Sequence, residues 1–143
     1  MRPPLQYRLG SALLLVAFAL VTLSESALAR SREPKVDPIP LAGMLIRDGN
    51  YDKAVIELDK IELDELEEPE LQKYYTFRGI ISLQAEAYPK AIEAFEKATS
   101  IGKPDLIIFV YLSQCYFASE KWQSTIDAFH KSGEVGKSVG NAY

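Results

Sequence analysis

The chain has 143 residues, a net charge of −4, one cysteine and one histidine. That length fits one small domain. The mildly acidic balance gives no electrostatic reason to hold nucleic acid or an anionic membrane surface, and single copies of Cys and His exclude an internal disulfide and a histidine-rich metal centre.

Residues 1–29 read as a secretory signal peptide. Arg2 and Arg8 come first, an apolar run from Ala12 to Leu23 follows, and Ala27-Leu28-Ala29 supplies a small-x-small exit, with Ala27 and Ala29 at the cleavage motif. The run is short of the ~20 residues that span a bilayer. The alternative is an uncleaved anchor. No Cys stands at the exit, which argues against a lipid anchor. Cleavage would remove Arg2, Arg8 and Glu25 and take the charge from −4 to −5.

Residues 30–40 are expected to be a linker, because Pro34, Pro38 and Pro40 oppose a regular helix. From Leu41 the spacing predicts helices in pairs. The first pair is 41–48 and 51–61, turning at Gly49-Asn50. From Asp59 to Glu70 the chain carries seven acids and one Lys. This reads as a solvated loop, with an acidic docking site as the alternative. The second pair is 69–85 and 88–101, with Pro69 and Pro89 in first turns, where a missing N–H costs nothing. The third is 105–119 and 122–132, with Asp105 as N-cap and Gly133 as a left-handed stop. Residues 133–143 are a tail or the start of a truncated further repeat. The apolar step of three and four, as in Ala91, Ile92, Phe95, Ala98 and Ile101, is helical, and the fold class is all-α.

The pairs repeat. Tyr88 is followed by Ala91, Ile92, Phe95, Lys97 and Ala98. Trp122, 34 residues later, is followed by Thr125, Ile126, Phe129, Lys131 and Ser132. A third copy follows Tyr51: Ala54, Val55, Leu58, Lys60 and Ile61. A period of this size marks stacked helical hairpins. With Tyr75, Gly79, Phe109, Leu112 and Ser113 in the partner helices, residues 41–132 resemble the tetratricopeptide repeat family, in repeats of about 41–66, 69–102 and 105–132. The resemblance implies a right-handed solenoid of antiparallel hairpins. Small residues (Ala42, Gly79, Ser113, Ala54, Ala91) would let paired helices approach, and rings would fill the space between layers. Arg78, Ser82, Thr125 and Ser132 depart from the family's pattern. No polar cap over the last hairpin is evident, so the expectation is either a fragment of a longer array or an end that meets a partner.

The resemblance also implies a binding groove lined by the first helix of each pair. Matching positions are Ile46 and Arg47, then Thr76, Ile80, Leu83 and Gln84, then Val110, Gln114 and Phe117, with Gly43 and Ala118 beside them. The Lys, Arg and Asn that clamp a terminal carboxylate in some relatives are replaced by Ile39, Gly43, Phe77, Ile107 and Tyr111. A mainly apolar groove would suit an amphipathic helix or an extended apolar peptide. The expected function is therefore a non-enzymatic protein–protein adaptor of the cell envelope, exported and most simply periplasmic, with no cofactor, no metal and no membrane contact after signal removal. The alternative is a structural or self-assembling subunit. Secreted or anchored locations remain open. Other motifs point away from chemistry. Gly136-Lys137-Ser138 lacks the first Gly of a phosphate loop, where Lys131 stands, and a preceding strand. His130 and Asp127 have no nucleophile beside them. Cys115 reads as a packing residue. Glu62, Asp64, Glu65, Glu67 and Glu68 lack the Gly-centred spacing of a calcium loop.

Overall fold

Helix boundaries follow from local chemistry in the computed structural model, which describes residues 37–140. The expected signal with Ala27 and Ala29, the linker as far as residue 36, and residues 141–143 lie outside the described residues. The elements are α1 (Pro38–Arg47), α2 (Tyr51–Leu58), a 3₁₀ turn (Leu63–Glu65), α3 (Glu68–Gln84), α4 (Tyr88–Thr99), α5 (Leu106–Ala118) and α6 (Trp122–Gly140). All are helical, so the described part of the chain is all-α.

α1 begins within the expected linker. The Asp37 carboxylate accepts the Ile39 N–H at 3.0 Å, and Pro38 and Pro40 fall in the first turn. There a backbone donor has no intrahelical partner to lose, so proline starts this helix rather than preventing it. α2 stops at Leu58, short of the expected Ile61. Asp105 caps α5 as expected, accepting the Ile107 N–H at 3.1 Å.

The turns inside the three pairs are built alike. Gly49, Glu86 and Glu120 all have positive φ, at 74°, 55° and 57°. Each residue donates its N–H three residues back, to Ile46, Leu83 or Phe117. The next N–H reaches five back, to Leu45, Ser82 or Tyr116. This double bond pattern satisfies orphan carbonyls at a helix end and reverses the chain. Tyr51, Tyr88 and Trp122 each stand two residues after the left-handed residue and open the second helix. Such short turns make paired helices antiparallel. α3 also touches α1 and α5, and α4 packs on α5.

Two apolar clusters hold the helices together. The larger joins Ala91, Ile92, Phe95 and Ala98 of α4 to Ile108, Leu112 and Cys115 of α5 and Ala128 of α6. The smaller joins Ile39 and Ala42 of α1, Leu58 of α2 and Tyr74 of α3. Tyr75 packs against both clusters. Each large side chain removed from water contributes about 1.5–3 kcal/mol. The small residues act as expected: Ala42, Ala54 and Ala91 are fully buried. Gly79 lies under Phe95, so closely that an added Cβ would stand 2.4 Å from its ring. Phe95 stacks on Tyr111 with centroids 5.4 Å apart.

The third pair departs from its sequence pattern. Ile126 and Phe129 match Ile92 and Phe95, which are buried, yet they are 51% and 44% exposed; Trp122 is 57% exposed. Among the described residues no further helix pair covers that face of α6. Gly133 breaks α6 with φ 56° and ψ −133°, as a stop signal should, and the helix then resumes to Gly140. The segment thus continues as helix rather than as an irregular tail. Gly136 packs there against Ser132 and Phe129, with no space for a Cβ. Gly136-Lys137-Ser138 is helical, so it is not a phosphate-binding loop.

Candidate functional site

The nine expected groove residues do not form one surface. Val110 is 6% exposed and belongs to the packing. Ile80 and Leu83 lie against the larger core cluster. The helix turns these side chains toward α4 and α5, a direction that repeat position alone does not fix. Ile46 is half-buried and Arg47 exposed in the last turn of α1. Gln84 is exposed at the end of α3, and Gln114 is exposed on α5. Phe117 is exposed and meets Trp122 edge-on, centroids 5.5 Å apart. Thr76 alone of the nine lines the main apolar hollow.

That hollow, about 340 Å³, opens between α3 and α5. From α3 it takes Pro69, Gln72, Lys73, Thr76 and Phe77, one face at steps of three and four. From the start of α5 it takes Asp105, Ile107 and Ile108. Phe77 also lies against Gly43 of α1, where an added Cβ would stand 3.0 Å from the ring tip. The Thr76 hydroxyl donates to the Gln72 carbonyl one turn back at 2.8 Å. The Gln72 amide donates to the Ile101 carbonyl at 2.7 Å, fixing the first half of α3 to the turn before α5. A second hollow, bounded by Glu68, Ile101, Gly102 and Lys103, shares the walls Pro69 and Gln72 with it.

A more polar hollow of about 260 Å³ lies among α4, α5 and α6. Two of its polar groups bond each other. The Tyr116 hydroxyl donates to Glu96 at 2.5 Å. Burial, and then this bond to a carboxylate, push the Tyr116 phenol well above its ordinary range, so it holds its proton at neutral pH. Asp127 accepts from Gln123 at 2.9 Å, and the Lys131 ammonium lies 5.9 Å from the Phe109 ring centre. Cys115 is fully buried, and burial pushes its thiol up to about 11, away from the thiolate a nucleophile requires. His130 is exposed on α6. Among the described residues no three His, Cys, Asp or Glu side chains converge to hold a metal ion, and no helix is long and apolar enough to cross a membrane.

In comparisons with protein-family models, with curated proteins and with solved structures, the chain matches none.

Proposed function

We propose that the chain is a tetratricopeptide-like, right-handed stack of three hairpins, and that it works as a binding adaptor. A segment of a partner protein lies in the hollow between α3 and α5. The observation that carries this reading is the apolar hollow itself, lined by Phe77, Ile107 and Ile108 with Thr76, Gln72 and Lys73 beside them. Ligand sites share this composition, an apolar lining with few convergent polar groups. The three matching turns, and the contacts of α3 with both α1 and α5, support the repeat architecture. The proposed mode is equilibrium binding without bond chemistry. Export to the cell envelope rests on residues 1–29 alone.

A photo-crosslinking amino acid placed at Thr76, and separately at exposed Glu93 on α4, tests the site in intact cells. Adducts from position 76 and none from position 93 support it. Equal adducts from both positions, or none from 76, overturn it.

Self-association is a second reading, favoured by the uncovered α6 face of Trp122, Ile126 and Phe129. Uncovered apolar patches of this kind mark interaction sites. Light scattering over a hundredfold concentration range would then show rising mass, abolished by Ile126→Lys. A constant monomer mass removes this reading.

A further inference from the structure

One junction between hairpins is made twice inside the described chain, and each end carries half of it. The left-handed turn residues Gly49, Glu86 and Glu120 put the three hairpins in register. In that register Phe95 of α4 is fully buried and stacks on Tyr111 of α5, and Ile92, Leu112 and Cys115 share its cluster. One hairpin earlier Leu58 of α2 stands where Phe95 does. It too is fully buried, in the cluster against which Phe77 and Ile81 of α3 pack, and these hold the places of Tyr111 and Cys115.

The same places are bare at the two ends. On α6, Ile126 and Phe129 hold the positions of Ile92 and Phe95 and are exposed. On α1, Pro40, Leu41 and Met44 hold the positions of Tyr111, Leu112 and Cys115, and their spacing puts them on one helix face. Met44 is 56% exposed where Cys115 is fully buried. Pro40 is exposed and Leu41 half-buried. Both α1 and α5 pack on their own partner helix, but among the described residues only α5 also packs on a preceding hairpin. A missing neighbour therefore leaves Met44 in water, as it leaves Ile126 and Phe129.

We infer that α6 of one copy receives α1 of a second copy, rebuilding between molecules the junction that α4 and α5 make within one. Phe129 is then set against Pro40 as Phe95 is against Tyr111. This rests on the self-association reading, and it adds the second surface and the geometry. The contact is head to tail. Each copy offers both halves and uses only one of them per contact, so growth continues beyond two copies. One helix on one helix is a small area, so the association is weak and depends on concentration. Removal of Ile126, Phe129 and Met44 from water drives it.

Two charge variants at exposed positions test this by light scattering of the full chain over a hundredfold concentration range. The parent's mass should climb past twice that of the monomer. Met44→Lys spoils only the α1 half and Ile126→Lys only the α6 half, so each alone should stay monomeric. Mixed in equal amounts, they should form a dimer and nothing larger, because the intact α6 of one meets the intact α1 of the other. If Met44→Lys associates as the parent does, or the parent's mass levels at two copies, the head-to-tail contact is overturned and self-association through α6 stands. A mixture that stays monomeric also overturns the contact, in variants that melt as the parent does. Should either lysine variant melt lower, Met44→Gln and Ile126→Gln carry the same comparison. A parent that is monomeric at every concentration, or association that survives both substitutions, overturns the self-association reading as well.

Discussion

Single residues decide how closely these helices approach. Gly79 allows α3 to lie on the Phe95 ring, and Phe95, fully buried and stacked on Tyr111, cannot retreat. Gly79→Ala should therefore cost about 1–3 kcal/mol in urea denaturation, the usual range for overpacking. Adding Phe95→Leu should recover part of that loss, since the two sites share one contact. Cys115 illustrates the opposite use of a small residue, filling the core with a group that can ionise. An unfolded thiol titrates near 9, the buried one at about 11, so the folded state keeps its proton longer. This contribution to stability is complete below pH 9 and is lost as pH rises through about 11. Tyr116 is shifted upward too and acts in the same direction. Stability measured by denaturation should fall across this alkaline window, and Cys115→Ala should make the fall shallower. The same thiol should resist a disulfide reagent at pH 8 until the protein is unfolded.

At the scale of elements, the pair turns repeat more faithfully than their residues do. Only the first places glycine at its left-handed position. Glu86 and Glu120 occupy the other two at φ 55° and 57°. A side chain there carries steric strain of about 1 kcal/mol or more that glycine escapes. Glu86→Gly and Glu120→Gly should each raise stability by about 0.5–1 kcal/mol, and Gly49→Ala should lower it by about 1 kcal/mol. Thermal melts of the three variants check this; a loss of stability in both Glu→Gly variants would show that the turns are not strained. These two glutamates also explain why the period is clear in the apolar residues and silent in the turns. Hydrogen bonds to Leu83 and Ser82, or to Phe117 and Tyr116, hold the turn against the residue's own preference.

Across the whole molecule, stability is uneven because the two apolar clusters differ in size and meet at Tyr75. The first hairpin rests on the smaller one. Native-state hydrogen exchange should show α1 and α2 opening at lower free energy than α4 and α5. Tyr75→Ala should widen the gap by loosening the joint between clusters. Uniform protection across all helices would contradict this division.

The sequence alone determined the all-α class, the pairing of helices and most of their boundaries, since these depend on spacing and capping within a few residues. Ala42, Gly79 and Ala91 were legible as close-approach positions because small size has few other uses at that period. The start of α1 was misjudged, since proline opposes a helix interior but suits its first turn, and only the Asp37 cap distinguishes the two. Groove residues were less legible. Val110, Ile80 and Leu83 share the type and register of surface positions, yet Val110 is buried and the packing of α4 and α5 on α3 partly covers Ile80 and Leu83. The hollow formed instead by Phe77, Ile107 and Thr76 exists only when two helices far apart in the chain lie side by side. The lack of a cap over the last hairpin was legible, but not which residues it leaves exposed: Ile126 and Phe129 carry a core pattern, and burial is a property of neighbours rather than of sequence.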